Sequence, residues 1–340
     1  MKKILALLLA LWIPAAVLSG CAPQDDSAAS NKLNIVTTIF PAYDWVREIL
    51  GDETDRAEIT MLLDSGVDLH SYQPTVDDIV KISDCDLFLY VGGESDGWVE
   101  DALKNAPNKD RKVIRLLDVL GDSAKAEETV ECMQEEEHDH EEEEHGHEEE
   151  VHDHEEEAEY DEHIWLSLKN AQVLVTAISE ALQETDPARK DAYAANAAAY
   201  AEKLSALDGE YRAAVDSGKY KTLLFGDRFP FRYLADDYGL DYYAAFPGCS
   251  AETEASFETV SFLAGKMDAL GLPCVLTIEG TQHKIAETIV QNTAQKNQQI
   301  LTMDSMQAVT ANDAASGVSY LSIMEKNLSV LKKALGQEAE

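Results

Sequence analysis

LNIVTTIFPAYDWVREILG, residues 33–51, sets the architecture. Leu33–Thr37 is a short run rich in apolar and β-branched residues, the composition of a buried strand. Tyr43–Leu50 then spaces its apolar residues at helical intervals, and Gly51 is a residue type that ends helices. The same unit recurs downstream. Strands are predicted at Ala57–Leu63, Asp86–Val91 and Val113–Leu116, alternating with helices at Val76–Ile82 and Trp98–Asn105. A second series places strands at Thr222–Phe225, Tyr242–Ala245, Cys274–Ile278 and Ile300–Met303. Its helices are predicted at Phe231–Asp237, Phe257–Leu270, Ala286–Thr293 and Val318–Leu335. Strands alternating with helices imply α/β layers built on parallel sheets. Between the two series lie Leu168–Glu184 and Ala188–Val215, both with helical patterning. A helix of about 28 residues spans about 40 Å, enough to cross between two lobes. The expected fold is therefore α/β: two Rossmann-like lobes joined by one long helix. Residues 33–126 and 163–187 form the N-terminal lobe, 188–217 the linking helix and 218–340 the C-terminal lobe. Ligands of open α/β sheets sit beyond the carboxyl ends of the strands, here the interlobe cleft.

The start of the chain reads as a targeting segment. Met1-Lys2-Lys3 precedes an apolar run from Ile4 to Leu18 that contains Pro14. A short basic region and an apolar stretch of this kind form a secretory signal, here residues 1–20. Leu18-Ser19-Gly20-Cys21 resembles a bacterial lipoprotein cleavage box, which implies lipidation of Cys21 and anchoring to the outside of the cell membrane. Residues 21–32 are small and polar, as a flexible tether requires.

Composition narrows the partners. The 340 residues carry 27 Lys+Arg against 65 Asp+Glu, a formal net charge of −38. No basic footprint exists for nucleic acid, and an acidic field concentrates cations. The charge is uneven: residues 127–162 hold 21 acidic residues and no Lys or Arg, and without them the net charge is −17. This low-complexity segment lacks apolar periodicity and is expected to be a disordered insert. Five cysteines are too few for a disulfide scaffold. A Cys249–Cys274 bridge and buried free thiols are both compatible with the sequence.

Six of the nine histidines lie in the insert: His138, His140, His145, His147, His152 and His154. Mixed His and carboxylate bind divalent ions loosely, so the insert reads as an auxiliary metal-collecting loop. Three histidines remain. His70 lies in a Gly- and Pro-bounded loop after the second strand, His163 where structure restarts after the insert, and His283 after the strand 274–278.

Several motifs jointly resemble one family. They are Phe40-Pro41-Ala42-Tyr43, Gly66-Val67 with His70-Ser71-Tyr72 and Pro74, and Asp161 with His163-Ile164-Trp165-Leu166 and Asn170-Ala171. Tyr233 with Tyr238-Gly239-Leu240, and Asp304-Ser305 after the last strand, complete the set. The chain is similar to the zinc- and manganese-binding solute-binding proteins of bacterial ABC importers, cluster A-I, over about Leu33 to Leu335. A His-rich insert is that family's usual mark of zinc proteins. The resemblance implies a monomeric extracytoplasmic receptor, two α/β lobes bridged by a rigid helix, zinc as cargo, and a membrane permease as partner. It also implies His70 and His163 as metal ligands from the N-terminal lobe and Asp304 from the C-terminal lobe. One position departs: the family's remaining His or Glu ligand falls on Arg228, which has no lone pair to donate. His283 is the first substitute, with Asp227 and Glu279 behind it. Three His and one Asp would suit zinc, whereas two His and two carboxylates would lean toward manganese. The proposed shell contains no cysteine.

The competing readings are an extracytoplasmic metal buffer or adhesin and a zinc hydrolase. The hydrolase finds no support in a His-Glu-x-x-His or Gly-x-Ser-x-Gly motif, and the chain is expected not to be an enzyme.

Overall fold

The computed structural model describes residues 32–104, 106–134, 159–250, 254–280 and 283–337. The predicted signal, Cys21 and nearly all of the tether lie outside the described residues, as do the six insert histidines.

The chain opens with β1 (Leu33–Thr37), α1 (Phe40–Leu50), β2 (Ala57–Met61), α2 (Val76–Asp84), β3 (Leu87–Tyr90), α3 (Val99–Lys104), β4 (Lys112–Arg115) and α4 (Leu116–Leu120). These strands form one parallel sheet in the order β2-β1-β3-β4. Ile35 of β1 faces Ile59 on one side and Leu87 on the other. β1 and β3 are apolar without alternation because helices cover both faces of the sheet. α1 starts three residues before the predicted Tyr43, since Pro41 in its first turn is preset for helical φ.

α5 (Leu168–Thr185) and α6 (Lys190–Ser217) follow. The second lobe comprises β5 (Thr222–Phe229), α7 (Arg232–Tyr238), β6 (Asp241–Pro247), α8 (Phe257–Leu270), β7 (Cys274–Thr277), α9 (Lys284–Asn292), β8 (Gln299–Thr302), α10 (Ala311–Ala315) and α11 (Tyr320–Ala334). Its sheet, also parallel, has the order β6-β5-β7-β8. β5 runs four residues beyond the predicted strand, through an irregularity between Phe225 and Arg228 that carries Asp227 and Arg228 to the sheet's carboxyl edge. The short α4 and α10 carry too few residues to show a period in the sequence.

α6 buries Tyr193, Ala197, Tyr200, Leu204, Leu207, Tyr211 and Ala214. Steps of four and three residues put these side chains on one face. Near its start Asn196 donates to the Ile49 carbonyl at 3.0 Å in the first lobe. Near its end the Tyr211 hydroxyl donates to the Met324 carbonyl at 2.7 Å in the second. The helix is thus anchored in both lobes by buried packing and by hydrogen bonds. The lobes also touch directly. Tyr320 N–H donates to Asp44 Oδ2 at 2.8 Å, the Tyr320 hydroxyl to the Trp165 carbonyl at 2.7 Å, and the Trp165 indole to the Ser305 carbonyl at 2.9 Å.

Two expectations change here. Residues 127–134 and 159–162, inside the segment assigned to the insert, are among the described residues and pack on the body. Ala126 bridges Tyr160, Glu127 N–H donates to Glu159 O at 2.8 Å, and Gln134 N–H reaches Ala245 O at 3.0 Å in the second lobe. Val130 and the buried Met133 anchor this stretch against the core. These two apolar residues outweigh the acidic composition that suggested disorder. Second, Cys249 and Cys274 are free thiols, as are Cys85 and Cys132. β6 and β7 flank β5 on opposite sides, with Cys274 at the amino end of its strand and Cys249 beyond the carboxyl end of the other. No helix among the described residues is long and apolar enough to cross a membrane.

Candidate metal centre

His70 sits in a single 3₁₀ turn, Leu69–Ser71, just beyond β2. Asp68 caps that turn, its Oδ1 accepting from His70 N–H at 3.0 Å. His163 directly precedes the 3₁₀ turn Ile164–Leu166, and its side chain is fully buried, at 0% exposure. The two rings are 5.1 Å apart between centroids, and their Nε2 atoms face each other at 3.2 Å.

The opposite nitrogens are held. His163 Nδ1 lies 3.0 Å from Asp161 Oδ1, which also accepts the His163 backbone N–H at 2.8 Å. His70 Nδ1 lies 2.8 Å from Ser95 Oγ and 3.4 Å from Glu162 Oε2. Burial alone would raise the Glu162 carboxyl, but hydrogen bonding to His70, its charge and the Ser95 N–H together hold it below the usual range. With a proton on each Nδ1, held by Asp161 and by Ser95 and Glu162, both Nε2 lone pairs are free for a cation; without one, a single proton on either Nε2 closes a hydrogen bond between the rings. A tetrahedral zinc with bonds of about 2.0–2.1 Å separates two nitrogen ligands by about 3.4 Å, close to the spacing observed. Carboxylate-held imidazoles of this kind are the usual outer shell of zinc sites.

Glycine lets the surroundings close in. A Cβ on Gly248 would lie 2.9 Å from the Phe229 carbonyl oxygen and 3.1 Å from the His163 ring. Gly93, at φ +119°, lies where any Cβ would collide with the Glu162 carboxylate. Tyr233 accepts Lys125 N–H at 2.9 Å and donates to the Asp161 carbonyl at 3.0 Å, locking the segment that carries His163.

The C-terminal lobe presents a different picture. A cleft cavity of about 820 Å³ is lined by His70 together with Asp227, Arg228, Glu279 and His283. Arg228 donates to Asp68 Oδ2 at 2.6 Å and to the Ser250 carbonyl at 3.2 Å, bridging the two lobes as an ion pair. Asp227 accepts from Arg228 N–H at 2.9 Å and Ile278 N–H at 3.3 Å, and burial raises its carboxyl. Glu279 accepts from Ser305 N–H, Ser305 Oγ and Gln307 N–H, at 2.6, 2.7 and 3.0 Å. Asp304 accepts Met306 N–H at 2.8 Å, and burial followed by the nearby Glu279 charge pushes its carboxyl up to about 6. His283 Nδ1 is buried with no hydrogen-bond partner.

Among the described residues, the one group of His, Cys, Asp and Glu ligand atoms within 4.8 Å of one another is His70, His163 and Cys249. His283, Asp304, Asp227 and Glu279 stand outside it. Cys249, left out of the expected shell, is the third member of that group. Its N–H donates to Glu127 Oε1 at 3.1 Å. Burial, with the charges of Asp161, Glu127 and Glu162, raises its thiol far above the ordinary value. Two signals pointed toward it: the vacancy that Arg228 creates, and a Gly-Cys pair directly after a strand at the ligand-binding edge.

A family model described as zinc-uptake complex component A, periplasmic (ZnuA), matches residues 35–334. The zinc-binding lipoprotein AdcA of Streptococcus pneumoniae (strain TIGR4) is 32% identical over 338 residues, covering 99% of this chain and 62% of its own length. The chain thus spans less than two thirds of that relative. The high-affinity zinc uptake system protein ZnuA of Bacillus subtilis is 30% identical over 305 residues, 90% of this chain and 88% of the other. Among solved structures, the Zn(II)-bound ZnuA-like domain of S. pneumoniae AdcA superposes with a TM-score of 0.68 at 28% identity. The match covers 90% of this chain and 100% of that one.

Proposed function

This chain belongs to the family of periplasmic zinc-uptake components A, and from that premise we propose that it captures zinc outside the cytoplasm and delivers it to the permease of an ABC importer. The observation that carries this reading is the His70–His163 pair, whose Nε2 atoms face each other at 3.2 Å with both Nδ1 atoms beside acceptors. Such a pair takes up a cation without first reorganising its ligands. The zinc names of the AdcA and ZnuA relatives support the choice of metal.

His70 and His163 are the ligands of the N-terminal lobe. The C-terminal lobe completes the shell, with Asp304 as the donor inferred from family position and His283 as the first substitute for the donor that Arg228 cannot supply, ahead of Asp227 and Glu279. A shell filled by protein ligands leaves no open position for an activated water, so the site serves as a receptor and not as a hydrolase. Lipidation at Cys21 would hold the receptor at the membrane beside its permease, and the insert histidines would raise the local supply of zinc.

The test is zinc titration of the purified chain against a competing chelator. One tight zinc per molecule is expected, retained when residues 135–158 are deleted and lost in His163→Ala. Tight binding that disappears with the insert, or survives loss of both His70 and His163, would overturn the reading.

A further inference from the structure

We propose that Cys249 supplies a zinc ligand from the C-terminal lobe, making the cleft site a mixed imidazole–thiolate centre instead of an imidazole–carboxylate one. The inference rests on the zinc-receptor reading and deepens it by naming the ligand that replaces the one lost at Arg228.

Three observations carry it. The Sγ of Cys249 falls within 4.8 Å of the ligand nitrogens of both His70 and His163. Tetrahedral zinc with Zn–S of about 2.3 Å and Zn–N of about 2.0–2.1 Å sets sulfur about 3.6 Å from each nitrogen. A loop shift of about 1 Å therefore closes the third vertex, less than the rearrangement His283 would require from outside the group. The loop that carries Cys249 is itself built into position. β6 ends at Pro247, and Gly248 has no Cβ, so the backbone lies directly against the His163 ring. From there Cys249 N–H is held by Glu127 and the Ser250 carbonyl by Arg228. The third observation is the double role of Arg228. It occupies a position where ligation is chemically closed to it. Its guanidinium instead joins Asp68, which caps the His70 turn, to Ser250, which follows Cys249. One side chain thus positions the segments that carry two of the three ligands.

On binding, the Zn–S bond forms as the S–H bond breaks, and the proton passes to water. Thiolate is a soft ligand, so the site should reject manganese, magnesium and calcium more strongly than a His-carboxylate shell does. One tetrahedral position remains for a further donor of the C-terminal lobe, Asp304 or one from the cavity wall that includes His283 and Glu279.

The experiment uses the full chain stripped of metal and loaded with cobalt(II) as a spectroscopic probe. Wild type and Cys132→Ser are expected to bind one tight cobalt with an intense near-ultraviolet thiolate-to-metal charge-transfer band. Cys249→Ser should lose that band, keep a weaker visible spectrum from the two imidazoles, and bind zinc at least about tenfold more weakly, since outer-shell losses alone reach 10–100-fold. The preference for zinc over manganese should narrow in the same variant. Cys249→His should recover affinity without the band, which separates ligation from a failure to fold. A tight wild-type cobalt complex with no thiolate band, or a band that persists in Cys249→Ser, overturns the thiolate ligand while leaving the receptor intact. Absence of any tight metal in wild type overturns the receptor reading itself, and the thiolate with it.

Discussion

The two lobes share an architecture and differ in how they treat metal-binding side chains. Each is a four-stranded parallel sheet with helices, and each offers its polar residues at the carboxyl edge. In the N-terminal lobe those residues are committed to the site: Asp161, Glu162 and Ser95 all orient imidazoles. In the C-terminal lobe the carboxylates serve the lobe's own loops. Glu279 holds residues 305–307, and Asp227 braces its own strand against Ile278. The difference indicates a division of labour. The N-terminal half holds its two imidazoles in fixed orientation, and the C-terminal half supplies the Arg228–Asp68 ion pair that joins the lobes.

Alanine substitution provides the strongest test of that division. His70→Ala and His163→Ala should each weaken zinc binding by more than about a hundredfold, beyond the usual cost of an outer-shell loss. His283→Ala should cost much less, because its ligand atoms lie outside the close group. A chelator competition in which His283→Ala matches His163→Ala would break the comparison. His163→Ala should also lower thermal stability, since the buried Asp161 carboxylate loses its imidazole hydrogen bond and keeps only the one from the backbone N–H of residue 163, at a cost of about 1–3 kcal/mol.

The next effect concerns orientation. Asp161→Asn keeps the volume but changes the preferred tautomer of His163, and zinc affinity should fall about 10–100-fold. The same replacement at Asp227 should leave affinity within a few-fold. Equal losses at both positions would erase the distinction between the lobes.

Arg228→Ala should have a smaller effect on affinity and a larger one on closure. It removes the interlobe ion pair with Asp68 and frees the loop that carries Cys249. A several-fold faster release of zinc, with the association rate little changed, is expected in stopped-flow measurements. An unchanged release rate would show that the pair contributes nothing to retention.

The smallest effect on zinc is expected away from the imidazoles, where Asp44 accepts from Tyr320 N–H across the lobes. Burial is the main reason its carboxyl is pushed up to about 6 from an ordinary 3.8. The folded state therefore holds a proton that the unfolded chain releases earlier. Stability should fall as pH rises through about 4 to 6, and the full penalty persists above that window. Asp44→Asn keeps an acceptor for Tyr320 and removes this pH dependence. A gain of about 2–3 kcal/mol at pH 7–8, little gain near pH 4, and unchanged zinc affinity are the outcomes that denaturant unfolding and titration should return.

Much of this arrangement could be read directly. β1, β3 and β7 are apolar runs because helices bury both their faces, and all eight strands were anticipated within a few residues. α6 was anticipated from its length and the absence of an internal proline. The extension of β5 to Phe229 was not, because an irregularity in mid-strand has no local composition signal. The packing of 127–134 and 159–162 on the body was also missed. Their acidic composition masks the few apolar and backbone contacts that hold them.

By itself the sequence determined which local segments become strands and helices, where the acidic insert falls, and that His70 and His163 are the two imidazoles to look for at the cleft, where the fold brings their Nε2 atoms to 3.2 Å. Those properties depend on neighbouring residues or on motifs carried in short stretches. Tertiary structure alone decided which atoms of the second lobe come near those imidazoles. That choice depends on the sheet order β6-β5-β7-β8, on a glycine thin enough to lie against His163, and on an arginine that ties two loops together. Such distances are set by packing between segments remote in the chain, and a one-dimensional pattern carries no record of them.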